Sequence, residues 1–124
     1  MLGLGTAVNR GGFVAGDSFV GLLNESFGSS AAAAYSVRRL FSSANTAMTI
    51  RRDSDQSETD IGFVDGNLDE AAINTFCSGT TCTVSVWKDQ SGNDNHATQT
   101  TAENQPTIYT GGSIVKENGR VALD

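Results

Sequence analysis

Between Phe76 and Asn95 the chain reads Phe-Cys-Ser-Gly-Thr-Thr-Cys-Thr-Val-Ser-Val-Trp-Lys-Asp-Gln-Ser-Gly-Asn-Asp-Asn, and no other stretch constrains the fold as much. It holds both cysteines and the only tryptophan. Thr83 to Lys88 sets Val84 and Val86 against Thr83, Ser85 and Trp87, which predicts a strand with at least one buried face. Asp89 to Asn95 follows as a tight turn, because Asp and Asn side chains bond their own backbone and Gly92 supplies conformational freedom. Cys77 and Cys82 enclose Ser-Gly-Thr-Thr. Two thiols and a single distant His96 do not make a four-ligand zinc site, and the spacing is not that of a C-x-x-C redox pair. A local disulfide closing a small loop and a pair of free thiols in a reducing compartment both remain open.

The flanking pattern is that of a mainly β domain with two short helices. Thr46 to Arg52 and Ser57 to Phe63 alternate, with Met48 and Ile50 on one face and Thr59, Ile61 and Phe63 on one face, and the short polar Asp53–Gln56 connector predicts a hairpin. Arg51, Arg52, Glu58 and Asp60 are placed to pair across it. Ser29 to Leu40 reads as a helix, from a serine cap, an alanine run and Arg38 and Arg39 at the negative end of the dipole. Asn67 to Phe76 reads as a second, capped by Asn67 with Glu70 in a capping-box position. An extended piece from His96 to Thr101, strands over Thr107 to Thr110, Ser113 to Lys116 and Val121 to Leu123, a Gly111-Gly112 turn and an Asn118-Gly119 hairpin complete the chain. Ending in mid-strand at Asp124 is expected to leave an unpaired edge, so more protein or a partner chain is expected there.

Residues 1–28 differ from the rest. Seven of the chain's 14 glycines fall there, between single apolar residues. One reading is a flexible leader. The other is an arm that orders on a partner through Leu2, Leu4, Phe13, Phe19 and Phe27, since phenylalanines of this kind require burial. We take residues 1–28 as a docking arm and 29–124 as the β-rich module. Met1-Leu2-Gly3-Leu4-Gly5 has no basic residue before it and is not read as a secretory leader. No apolar run is long enough to span a bilayer. Net charge is −6 with few, scattered arginines, which argues against nucleic acid and against an anionic membrane surface as partners.

Residues capable of chemistry are present without a recognisable constellation. Asp89, Ser91 and Asn93 alternate as calcium ligands would, but Asp94 and Thr100 stand where an EF-hand needs Gly and Glu, and Asx turns account for the composition without a metal. No metal and no cofactor are expected. Glycoside hydrolysis needs two carboxylates across a cleft. Glu58, Asp60, Asp65, Asp69, Glu70, Glu103 and Glu117 fall on turns, helix starts and strand faces, and nothing singles out a pair. Trp87 and Tyr109 are possible sugar-stacking residues, although an aromatic on an alternating strand is more often core.

Several of these pieces resemble a known family. Ala33-Ala34-Tyr35-Ser36 with Arg39-Leu40, Arg51 to Asp55, Thr75 to Cys82 and Asp89 to His96 with Thr98-Gln99 are similar to the front of the catalytic domain of fungal family-54 α-L-arabinofuranosidases. The resemblance implies a concanavalin-like β-sandwich and a Cys77–Cys82 disulfide. It also implies that the nucleophile and acid lie beyond these residues, so none is carried over. The same block, with Met1-Leu2-Gly3-Leu4-Gly5 and Gly11-Gly12-Phe13, resembles lectin-like (laminin-G type) modules of tailed-phage virion proteins. On that resemblance the expectation is a non-enzymatic virion component, a fibre, spike or appendage, assembled in the host cytoplasm. Its arm would dock on other virion proteins, its partial sandwich would face a host glycan, and it would form a homo-oligomer, with a trimer favoured. The alternative is a piece of a secreted arabinofuranosidase-like, glycan-active or glycan-binding protein.

Overall fold

The computed structural model describes Leu23 and residues 30–124. Almost all of the arm, including Leu2, Leu4, Phe13, Phe19 and Phe27, lies outside the described residues. In chain order the elements are β1 (Thr46–Arg52), β2 (Glu58–Val64), β3 (Asn67–Leu68), α1 (Glu70–Phe76), β4 (Cys82–Trp87), β5 (Ala97–Thr98), a 3-10 turn (Ala102–Asn104), β6 (Thr107–Thr110), β7 (Ser113–Ile114), β8 (Lys116–Glu117) and β9 (Arg120–Val121). A seven-stranded sheet runs β3-β2-β1-β4-β6-β7, with β5 on β4, and β8 and β9 form a separate hairpin. The pairings given for these strands are all antiparallel. The mainly β, sandwich-like expectation holds.

One face of the sheet carries the core. Met48, Ile50, Ile61, Leu68, Cys82, Val84, Tyr109 and Ile114 bury there with Ile73 of α1. The other face is polar: Thr49 Oγ1 donates to Asp60 Oδ1 at 2.6 Å and Ser85 Oγ to Glu58 Oε1 at 2.7 Å. A register shift between Thr49 and Ile50 breaks the alternation of β4, with Ile50 opposite Val84 but Thr49 opposite Val86. Ser85 is the extra residue of this bulge. Val86 therefore turns to the polar face, while Trp87, opposite Met48, joins Val84 on the core face, so the two exchange sides relative to strict alternation. Gly62 sits where β2 passes the chain before β1, and a Cβ there would lie 2.7 Å from the Asn45 carbonyl oxygen.

The first expected helix does not form. Residues 30–40 are irregular or extended, and their backbone groups are claimed from both sides. Gln90 N donates to Ala34 O (2.7 Å), and its side-chain amide donates to Ser36 O (3.1 Å) and Arg38 O (2.9 Å) and accepts from Leu40 N (2.7 Å). The intervening residues pair with the β3 turn instead: Arg39 N donates to Gly66 O at 2.9 Å and Leu68 N to Val37 O at 3.1 Å. Even positions face Gln90 and odd positions face β3, which is the period of an extended chain. A helix this short is marginal in water even when alanine-rich, and a set of tertiary hydrogen bonds at about 1 kcal/mol each outweighs the alanine propensity.

The second helix begins later than the sequence suggests. Asn67 belongs to β3, and Asp69 is the N-cap, its Oδ1 accepting from Ala72 N at 3.0 Å. The Asp65-Gly66 turn before it has both residues at positive φ (51° and 78°), a hairpin signal that overrides the cap signal at Asn67. The helix ends at Cys77, which is bonded to Cys82 at the start of β4. Arg52 reinforces that end, donating to Phe76 O at 3.3 Å with its guanidinium 4.7 Å above the Phe76 ring. Arg51 and Arg52 pair with Asp53 and Asp55 in the turn, not across the hairpin with Glu58 and Asp60. The Asn118-Gly119 hairpin is present, both residues at positive φ (52° and 78°). Asp124 does not leave a bare edge: it exchanges two backbone hydrogen bonds with Thr107 (2.7 and 3.0 Å).

Two outcomes follow for stability. Replacing both Cys77 and Cys82 with Ala is expected to lower the unfolding free energy by about 2 kcal/mol, read from denaturant midpoints, because the closed loop is short. Gly62→Ala is expected to cost about 1–3 kcal/mol, since the clash is with backbone and not with a yielding side chain. A Gly62→Ala protein as stable as the parent would show that the close approach is relaxed in solution.

Candidate functional site

The Asp89–His96 turn gathers several polar side chains, and it borders a cleft of about 360 Å³ lined by Ser43, Asn45, Thr46, Lys88, Gln90 and His96 among others. Asp89 is 6% exposed. Its Oδ1 accepts from Ala34 N (2.8 Å) and Ser91 N (2.9 Å), and its Oδ2 from Ser91 Oγ (2.8 Å) and Asn95 N (3.1 Å). Burial on its own raises the carboxyl pKa, but the bonds from Ser91, Ala34 and Asn95 together outweigh it and hold the group below its ordinary value. Asn93 and Asn95 direct their amide nitrogens away from any would-be ion. Asn93 Nδ2 bonds Ala31 O (2.8 Å) and Ala32 O (3.1 Å), and Asn95 Nδ2 bonds Ala32 O (2.9 Å). The loop is thus a clamp on residues 31–40 rather than a cation cage. Among the described residues no group of three or more His, Cys, Asp or Glu is placed to hold a metal.

His96 is oriented by the same turn. Asp89 N donates to His96 Nδ1 at 3.0 Å, so in the neutral ring the proton sits on Nε2, which lies 3.6 Å from Asp94 Oδ1 at the exposed rim. Tyr35, from the clamped segment, donates its hydroxyl to Asn95 O and sets its ring 6.1 Å from that of Trp87.

The residues singled out from sequence separate in space and in duty. Tyr109 is 5% exposed in the core, where it cannot stack on a sugar. Trp87 is half-buried and lines an apolar groove of about 220 Å³ with Val84, Ala97 and Pro106, its indole N–H buried without an acceptor among the described residues. Glu58 and Asp60 lie side by side on one face of β2, bonded to Ser85 and Thr49, and Asp60 also lies 4.0 Å from Lys88 Nζ. Asp69 caps α1 and Glu70 pairs with Lys116 at 2.9 Å. Asp60 and Asp69 border one open cleft of about 460 Å³, but Asp60 is bonded to Thr49 and Asp69 caps α1, so each already has a structural duty. Gln90 was missed as a key residue because a buried glutamine has no periodic signature.

Asp89→Ala is expected to destabilise the protein by about 3 kcal/mol, since it strands several buried donors at once. Because the Asp89 pKa is depressed in the folded state, its contribution is complete above the unfolded-state value near 4 and is lost as pH falls through the lower folded value. Acid titration of thermal stability should therefore show a shallower fall below about pH 4 for Asp89→Asn than for the parent. Parallel acid limbs would assign that pH dependence to other carboxylates.

Comparison with known proteins supplies what the geometry lacks. The family model described as alpha-L-arabinofuranosidase B, catalytic, matches residues 23–119. Alpha-L-arabinofuranosidase B of Aspergillus niger is 42% identical over 71 residues, 55% of this chain and 14% of that protein. The alpha-L-arabinofuranosidase of Hypocrea jecorina is 40% identical over 75 residues, 58% of this chain and 15% of that protein. An arabinofuranosidase crystallised with arabinofuranosyl-α-1,2-xylobiose superposes with a TM-score of 0.58 at 35% identity, covering 73% of this chain and 22% of that one. A GH54 α-L-arabinofuranosidase soaked with a cyclic sulfate inhibitor gives 0.55 at 34% identity, over 61% of this chain and 19% of that one. The chain thus spans about a seventh of the length of these curated relatives. These matches overturn the reading of a non-enzymatic phage virion protein with a lectin-like module, since the relatives are glycosidases and the match covers most of the described residues. The chain belongs to the family of the α-L-arabinofuranosidase B catalytic domain.

Proposed function

We propose that this chain is a part of a glycoside hydrolase acting on α-L-arabinofuranosides, and that it contributes the scaffold of the catalytic domain rather than the bond-breaking carboxylates. The observation that carries the reading is the family match over residues 23–119, which includes both the Cys77–Cys82 loop and the Asp89–His96 turn. Glu58, Asp60, Asp69 and Glu70 are each committed to a hydroxyl, a helix cap or a lysine, which fits a division of labour in which acid and nucleophile come from elsewhere in a longer protein. Its partner on this reading is an arabinose-bearing polysaccharide. A Cys77–Cys82 disulfide favours an oxidising, extracellular setting.

The test is hydrolysis of 4-nitrophenyl α-L-arabinofuranoside. A longer protein that contains this chain is expected to release nitrophenol, and the 124 residues alone are expected to release none. A longer protein inactive on arabinofuranosides but active on another glycoside would sink the substrate assignment.

A further inference from the structure

Arg38 and Arg120 line one cleft of about 310 Å³, at the lower end of the size of ligand pockets, together with Ser36, Val37, Asn67, Leu68, Glu70 and Val121. Their situation is unusual for this chain. Arg51, Arg52, Lys88 and Lys116 each have a carboxylate within ion-pair distance (Asp53, Asp55, Asp60 and Glu70). Arg38 and Arg120 have no such partner among the described residues, although the chain carries 14 acidic against 8 basic residues. Glu70 borders the cleft, but its charge is taken by Lys116 Nζ at 2.9 Å. Both arginines are exposed, and two guanidinium groups that border one cleft can share a bound anion through charge-assisted, forked hydrogen bonds.

The two arginines stand on fixed backbone. Arg38 N donates to Ser36 Oγ (2.9 Å), Arg38 O accepts from Gln90 Nε2 (2.9 Å), and Arg38 bridges to Asn67 at the β3 edge. Arg120 opens β9 directly after the Asn118-Gly119 turn. Val37, Leu68 and Val121 give the cleft an apolar component beside its charged groups. That combination suits a ring with one C–H-rich face and a carboxylate at its edge.

We propose that this cleft binds a carboxylate-bearing sugar, a uronic acid residue. The anion preference stands on the arginine pair alone; the choice of a sugar acid over other carboxylates rests on the arabinofuranosidase-family reading above. D-Galacturonate titrated into the 124-residue chain should shift amide resonances of residues 36–38, 67–68 and 119–121 saturably, and added salt should weaken the effect. In Arg38→Gln/Arg120→Gln the affinity should fall by about tenfold or more, with the spectrum outside the cleft unchanged. Should the double variant misfold, Arg120→Gln alone, on the exposed hairpin, is expected to show a weaker loss of the same kind.

L-Arabinose at the same concentration should leave these resonances in place. Equal shifts with arabinose, no shift with galacturonate, undiminished binding by the folded variants, or inorganic phosphate binding as tightly as galacturonate would each overturn the assignment. Hydrolysis of nitrophenyl arabinofuranoside by the longer protein reports separately on the glycosidase reading.

Discussion

Donors from three residues converge on the buried carboxylate of Asp89, and the architecture leans on that convergence. Asp89 follows directly from β4, the central strand, and two of the bonds it accepts come from Ser91, which closes its own turn. A third, from Ala34, captures a segment more than fifty residues away in the chain. Once Ala34 is fixed, Gln90 is held against residues 34–40, and that segment reaches the β3 edge through Val37 and Arg39. The middle of the sheet is thereby tied to its rim without an intervening strand. Such a hub is effective because it is fully satisfied; a buried carboxylate with partial hydrogen bonding would be a liability in the same place.

What the sequence reveals and what it hides divide by the range of the interactions. β1 and β6 are readable to the residue because Met48, Ile50 and Thr107–Thr110 lie in runs whose local preference agrees with their neighbours. The Asn118-Gly119 turn is readable because its chemistry is contained in two residues. The alanine run of residues 31–34 is misread because nothing local opposes a helix; its opponents, Gln90, Asn93 and Asn95, lie far away in sequence. The start of α1 is misread because Asn67 and Asp69 are both competent caps, and Asp65-Gly66 decides between them through the hairpin it forms. The shared face of Val84 and Val86 is misread because one inserted residue at Ser85 breaks the alternation.

The functional misreading has a related cause. The virion expectation drew on the glycine-rich arm and the lectin-like resemblance, and the arm lies almost entirely outside the described residues. The family match over residues 23–119 spans the pinned loop after α1 and the clamp that follows β4. On the proposed reading, this chain supplies scaffold and the reacting groups come from elsewhere in a longer protein. The lone carboxylates on β2 and at the helix start are consistent with that, each being committed to a hydroxyl, a cap or a lysine.

The side chain of Gln90 behaves as a peptide unit detached from any backbone. It offers one acceptor and two donors to Leu40, Ser36 and Arg38, much as a neighbouring strand would, yet it occupies a single residue. Chemically this leaves the position few substitutes: glutamate keeps the acceptor and loses both donors, and asparagine keeps all three but is one methylene short. Ser36, Arg38 and Leu40 meet it with main-chain groups alone. The segment carries its information as permission to be gripped, and the grip is encoded fifty residues downstream in a single amide.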